Sequence, residues 1–192
     1  MLLRMTIDVV ESLKKRLQTM IRFFHFHEEL PFGDSSSPAD KLLTGTAIAL
    51  SGILLGASVA FTRTAEGPIP IHFNVLGEAD AWGDPTFYLV LGGLGLLTVG
   101  LCLIASRHPQ LIHLPVLLRQ ETAKQKAMKC RYAKEMAVVC GSLFLSLLLL
   151  CRAYETNAAW KVAATTLLAV SLLAILVLTI TVSLQIVRAG KP

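Results

Sequence analysis

The chain has 192 residues, of which 54% are hydrophobic and 16% charged, and its formal net charge is +5. Soluble globular domains carry about 25% charged residues, so this composition disfavours a soluble domain. The basic segment 107–134 lacks an aromatic platform for bases and is expected to lie against a membrane. We therefore predict contact with the lipid bilayer and no nucleic-acid partner.

Residues 1–40 are predicted to form a cytoplasmic amphipathic helix followed by a linker. Basic and polar residues separate apolar ones that recur at spacings of three and four. The apolar set is Val10, Leu13, Leu17, Met20, Ile21 and Phe24. Such a helix either lies on the membrane surface or packs against protein, and both alternatives stay open. The linker ends in Ser37-Pro38, a pair typical of a helix start.

Residues 41–192 are predicted to form a membrane domain with four transmembrane helices. A bilayer core of about 30 Å requires roughly 20 apolar residues in a helix. The predicted spans are about 42–62, 86–106, 133–154 and 162–187. The third includes Arg152, whose aliphatic stem allows its charge to reach the interface. The predicted fold class is all-α, a polytopic membrane protein, and a soluble bundle with an unusually apolar core is the disfavoured alternative.

Small residues in the first two spans predict close packing between them. They are Gly45, Ala49, Gly52, Gly56 and Ala60 in the first span, and Gly92, Gly93, Gly95 and Gly100 in the second. Small side chains allow the backbones of neighbouring membrane helices to approach closely.

The distribution of Lys and Arg predicts the orientation. Segment 107–134 holds seven basic residues and one acidic residue, whereas segment 64–85 holds four acidic residues and no basic one. Cytoplasmic loops are enriched in Lys and Arg. We therefore predict a protein of the bacterial cytoplasmic (inner) membrane, with both termini in the cytoplasm and segment 64–85 outside.

Several enzyme classes are disfavoured. The span interiors contain no ionisable Asp, Glu, Lys, Arg or His, which proton-driven pumps and intramembrane proteases normally need. The chain also lacks an HExxH, a GxSxG and a phosphate-binding loop motif. Its four cysteines include no CxxC pair and are expected to be packing residues. We predict no enzymatic activity, no cofactor and no metal.

Segment 69–85, IPIHFNVLGEADAWGDP, combines an extended stretch with a turn. Apolar residues alternate with others through Ile69, Ile71 and Phe73, which predicts an extended segment with one apolar face. Trp82 is suited to the membrane interface. Asp84 before Pro85 is typical of a helix start.

Four side chains of this segment are candidate binding residues, namely His72, Asn74, Asp80 and Trp82. An imidazole with carboxylates is able to hold a divalent metal or the amine of a peptide. The alternative, which we favour, is structural. In it Asn74 and Asp80 satisfy turn amides, and His72 bridges backbone carbonyls between helix ends.

The stretch IPIHFNVLGEADAWG resembles the signature of domain of unknown function 1648, I-P-x-H-F-N-x-x-G-x-x-D-x-W-G between two transmembrane helices. The matching residues are Ile69, Pro70, His72, Phe73, Asn74, Gly77, Asp80, Trp82 and Gly83. A second stretch, residues 107–136, is similar to the family's proline-containing segment and basic helix. The resemblance covers roughly residues 42–140.

The resemblance implies a non-enzymatic membrane protein of the SdpI-like class. In that class, an immunity protein protects its host from a secreted killing peptide and sequesters a transcriptional repressor at the membrane. The expected function is therefore sensing of, or immunity to, a peptide or other ligand at the outer face. The alternative is a structural or assembly subunit of a larger membrane complex, with a partner membrane protein.

Overall fold

The computed structural model describes residues 37–74, 78–112, 122–156 and 159–189. The amphipathic helix predicted at the N-terminus lies outside these residues, apart from the end of its linker. The described chain forms four long helices, a two-stranded hairpin and a short 3-10 helix. They are α1 (Pro38–Thr64), β1 (Ile69–Phe73), β2 (Ala79–Gly83), α2 (Phe87–Ala105), the 3-10 helix (Pro109–Leu111), α3 (Ala123–Glu155) and α4 (Lys161–Ala189).

All four helices are long and apolar enough to cross a membrane. An 18-residue window in each has a mean hydropathy of 1.9, 2.3, 2.1 and 2.7, in chain order. The prediction of an all-α polytopic membrane protein is therefore confirmed. Helix α3 begins about ten residues before its predicted span and has 33 residues. At 1.5 Å per residue it is about 50 Å long, more than a bilayer core needs. Its first turns therefore extend beyond the span.

The helix starts follow their capping residues. The backbone N–H of Asp40 donates to Ser37 Oγ at 3.2 Å, and Pro38 occupies the first position of α1, as the sequence predicts. At the start of α3, Thr122 and Gln125 form a capping box. The buried Gln125 also donates through Nε2 to the carbonyl of Ile186 at 3.0 Å, which joins the start of α3 to the end of α4.

Helix α3 is the centre of the bundle. It packs against α1, α2 and α4, while α4 packs mainly against α3. In the most apolar window of α3, 44% of the residues are buried, against 11% in α4. The outward surface of α4 is a row of leucines and other apolar residues, the surface that lipid chains cover.

Helices α1 and α2 approach closely at Gly92. A Cβ on Gly92 would lie 1.9 Å from Ser58 Oγ, so any larger residue there requires Ser58 or the helices to move. The predicted packing of these two spans is confirmed, but the small-residue stripe of α1 at 45, 49, 52, 56 and 60 is exposed and takes no part in it. A stripe of small residues allows close packing but does not say which neighbour it meets, and α1 instead turns Leu54 and Ser58 to the core.

The two ends of the bundle differ in structure and charge. We call the end that carries β1 and β2 the hairpin end, and the opposite end, where α3 begins, the basic end. The 11 Lys and Arg residues among those described divide into three at the hairpin end (Arg63, Arg152 and Lys161) and eight at the basic end. Of the seven described Asp and Glu residues, five lie at the hairpin end and two, Asp40 and Glu135, at the basic end.

Candidate functional site

The hairpin that carries the candidate binding residues is irregular. Strands β1 and β2 are antiparallel, and their register shifts on both sides of His72. The partners are Ile69 with Gly83, Pro70 with Trp82, His72 with Ala81, and Phe73 with Ala79. The second shift reverses the first, so Ile71 on β1 and Asp80 on β2 have no paired residue on the opposite strand. Such irregularities re-aim side chains and are common beside functional sites.

One part of β1 fastens the hairpin to the helices. Ile69 is fully buried, and the Phe73 ring meets the Tyr154 ring of α3 edge to face, with 5.3 Å between centroids. The predicted apolar face is interrupted, because Ile71 falls at the register shift and is 41% exposed. Its side chain lies over Gly83, where a Cβ would be 2.9 Å from Ile71 Cγ2. The hairpin is therefore anchored at Ile69 and Phe73.

His72 and Asp80 pair with each other on the exposed side of the hairpin. His72 Nδ1 lies 2.5 Å from Asp80 Oδ1, and the two side chains are 67% and 43% exposed. The structural interpretation predicts His72 between helix ends and Asp80 on turn amides. The cross-strand pair that forms instead leaves both groups accessible to a ligand.

Asn74 has a different place from the other candidates. Its side-chain Oδ1 accepts from the backbone N–H of Glu78 at 3.0 Å, and its Nδ2 donates to Glu78 Oε2 at 3.1 Å. The Asn74 backbone N–H also donates to the Glu78 carbonyl at 2.9 Å. Asn74 therefore joins the end of β1 to Glu78, and its side chain satisfies a backbone amide, as the structural interpretation expects.

Trp82 and Asp84 flank the pair on the way to α2. Trp82 is 50% exposed, as an aromatic side chain at a membrane interface is expected to be. Asp84 Oδ1 accepts from the backbone N–H of Thr86 at 2.8 Å, and this hydrogen bond lowers the pKa of the Asp84 carboxyl. Helix α2 begins at Phe87 with Thr86 as its N-cap, so Asp84 holds the turn before the helix and is not its N-cap.

A second polar cluster, which sequence reasoning missed, lies beneath the hairpin. Its centre is Glu155, whose side chain is 7% exposed. The carboxylate accepts from Arg152 Nη1 at 2.8 Å, from Tyr88 Oη at 2.8 Å and from the backbone N–H of Glu66 at 3.2 Å. Glu155 thus joins α3, α2 and the segment that enters β1.

Arg152 completes this cluster, which we call the Glu155 cluster. Its Nη1 also donates to the Thr64 carbonyl at 3.3 Å, at the end of α1, and its guanidinium lies 5.6 Å from the centroid of the Phe61 ring. A nearly buried carboxylate is tolerated when charge-assisted hydrogen bonds satisfy it. The sequence signal is the i, i+3 spacing of Arg152 and Glu155 on one helix face. The further partners, Tyr88, Thr64 and Glu66, come from other parts of the chain and are not visible in this local spacing.

A cleft of about 560 Å³ opens beside the Glu155 cluster. It is lined by Thr64, Glu66, Gly67, Pro68, Arg152, Glu155 and Thr156. Within the described ranges, no group of three His, Cys, Asp or Glu side chains is placed to hold a metal ion.

Comparison with family models, with curated proteins and with solved structures finds no match to this chain. The resemblance to domain of unknown function 1648 stays a prediction from the residues of the 69–83 signature. The fold and the geometry of the hairpin end define a multi-pass membrane protein with an exposed polar pair on an anchored hairpin.

Proposed function

We propose that this chain is a non-enzymatic membrane protein of the SdpI-like class that recognises a peptide or another ligand at its hairpin end. The observation that carries the proposal is the exposed His72–Asp80 pair. A purely structural pair would be expected to bind the helix ends or the turn, and Asn74 already serves the turn. Exposed polar groups on a rigidly held element are typical of recognition sites.

The chemistry of the pair suits a ligand with an amine and an apolar part. The Asp80 carboxylate provides an acceptor for an ammonium group, and His72 provides a ring nitrogen that donates or accepts. The exposed Trp82 ring on the neighbouring strand position adds an aromatic surface, which favours a cationic or apolar side chain. A peptide that approaches a membrane surface offers both an amine and apolar side chains.

The charge difference between the ends supports an orientation. With eight of the 11 described basic residues at the basic end, the positive-inside rule favours that end in the cytoplasm. The proposed location is a bacterial inner membrane with the hairpin end outside and both termini in the cytoplasm. A ligand that arrives from outside would then meet His72 and Asp80 first.

The test compares His72→Ala and Asp80→Ala with wild type in a bacterial strain that lacks this chain. Growth after challenge with a panel of secreted killing peptides is measured together with the amount of protein in the membrane. We expect both variants to lose protection at unchanged abundance. Glu66→Gln is the matched control, because it removes an exposed acid at the same end, outside the pair.

Two results would contradict the proposal. If cells with either variant survive the peptides as well as cells with wild type, the His72–Asp80 pair is not needed for protection. If both variants disappear from the membrane while Glu66→Gln persists, the pair is a folding element of the hairpin.

One observation favours the second candidate, a structural or assembly subunit of a larger membrane complex. The small residues 45, 49, 52, 56 and 60 form an exposed stripe along α1, and nothing lies within 4 Å of a Cβ built at Gly45, Gly52 or Gly56. Such stripes let another membrane helix pack closely. Purification in mild detergent, followed by mass spectrometry, should then identify a partner protein. The Gly52→Leu variant should lose this partner. The control Gly93→Leu, which lies on the exposed face of α2, should retain it. A chain that purifies alone contradicts this function.

A further inference from the structure

A groove of about 480 Å³ runs between α3 and α4 near the basic end, away from the hairpin. Arg131, Tyr132 and Glu135 line it from α3, and Leu178, Thr181 and Gln185 line it from α4. Polar and charged groups thus share the groove with an apolar wall. The proposed ligand recognition at the hairpin end does not use it.

The groove lies where the helices are expected to leave the hydrocarbon core. A core of about 30 Å corresponds to roughly 20 helical residues. Counted from the hairpin end, about 20 residues back from Glu155 along α3 reach Glu135, and about 20 residues on from Lys161 along α4 reach Thr181. Both residues line the groove. Its polar part is therefore at headgroup level, and Leu178, one turn before Thr181, is at the level of the acyl chains.

The Arg131 guanidinium provides the groove with hydrogen-bond donors for a phosphate. Its side chain is 56% exposed, and its Nε donates to Glu135 Oε1 at 3.0 Å. A guanidinium has four further N–H donors, whose planar fork matches the oxygens of a phosphate. The Glu135 carboxylate repels an anion, but its ion pair with Arg131 offsets that charge.

The surroundings add attraction for an anion. The basic end carries eight Lys and Arg residues against two acidic ones among those described, and Arg188 follows Gln185 by three residues on α4. The lining itself carries one positive and one negative side chain, so the net positive charge comes from the basic end around the groove. Pockets between membrane helices in basic surroundings on the cytoplasmic side are typical binding sites for anionic lipids. We infer that this groove binds an anionic phospholipid, with the headgroup phosphate on Arg131 and an acyl chain along Leu178.

Native mass spectrometry of the full chain in mild detergent tests the assignment, with phosphatidylglycerol as the probe and phosphatidylethanolamine of the same chains as the zwitterionic comparison. Wild type should retain phosphatidylglycerol in preference. Arg131→Gln should lower its apparent affinity about tenfold, the size of one lost charge-assisted hydrogen bond. Lys124→Gln, the matched control, removes the same charge from the exposed first turn of α3 and should leave the affinity within about twofold.

Two further variants separate a site from diffuse attraction. Thr181→Trp fills the groove without changing charge and should also lower phosphatidylglycerol retention, which keeps the test valid if Arg131→Gln does not fold. Glu135→Gln should raise retention, because it removes the competing carboxylate. Equal losses in Arg131→Gln and Lys124→Gln, wild-type retention in Thr181→Trp, or equal binding of the two lipids by wild type would each overturn the inference.

Discussion

At the scale of single residues, the hairpin end separates side chains that hold the fold from those that are available to a ligand. The Asn74 side chain accepts from the backbone N–H of Glu78, and the Asp84 side chain accepts from that of Thr86 in the turn before α2. His72 and Asp80 pair with each other in solvent instead. Their residue types were visible in the sequence, but their pairing depends on two register shifts that no alternation of residues reveals.

The Glu155 cluster is expected to matter for stability. Glu155→Ala leaves the Arg152 guanidinium without its main counter-charge and Tyr88 Oη without its acceptor. Removing one partner of a nearly buried ion pair costs roughly 3 kcal/mol. We therefore expect a clear fall in the Tm of the protein in detergent, measured by differential scanning fluorimetry.

Milder changes in the same cluster provide the comparison. Tyr88→Phe removes a single hydrogen bond to Glu155 and should cost about 1 kcal/mol. Glu66→Gln changes an exposed side chain but keeps the backbone N–H that donates to Glu155, so the Tm should stay near wild type. A Glu155→Ala protein as stable as the Glu66→Gln protein would show that the cluster contributes little.

At the scale of elements, hydropathy and length were sufficient to predict four spanning helices, because a bilayer core sets the number of apolar residues a helix needs. Even the short third run was predictable, since α3 continues through Arg152 to Glu155. The face that each helix buries was not predictable from the sequence. Lipid and protein are similarly apolar, so a membrane helix lacks the polar-outside pattern that orients a soluble one.

The α1–α2 crossing gives a direct test of the packing. Gly92→Ala places a methyl group against Ser58 Oγ and should cost about 1–3 kcal/mol, because a packed interface accommodates added volume poorly. The neighbouring Gly93→Ala is the control, since nothing lies within 4 Å of its Cβ position. Thermal unfolding in detergent should show a lower Tm for Gly92→Ala only. Equal Tm values for the two variants would contradict the described crossing.

At the scale of the whole molecule, the two ends are expected to serve different environments. The hairpin end has an anchored strand, an exposed polar pair and an acidic excess. The basic end has a groove between α3 and α4 and an extended, positively charged start of α3. The charge difference was predictable from the sequence, because loop charges are local. The Glu155 cluster was not, because its members come from different helices.

The central claim is that the hairpin end faces outside, where a ligand from the medium reaches His72 and Asp80. Substituted-cysteine labelling tests it most directly, in a chain whose four native cysteines are replaced by alanine. Trp82→Cys reports on the hairpin end, and Lys124→Cys reports on the start of α3. With a membrane-impermeant maleimide on intact cells, we expect Trp82→Cys to be labelled and Lys124→Cys to be labelled only after permeabilisation. Labelling of Lys124→Cys in intact cells, with Trp82→Cys protected until permeabilisation, would contradict the claim.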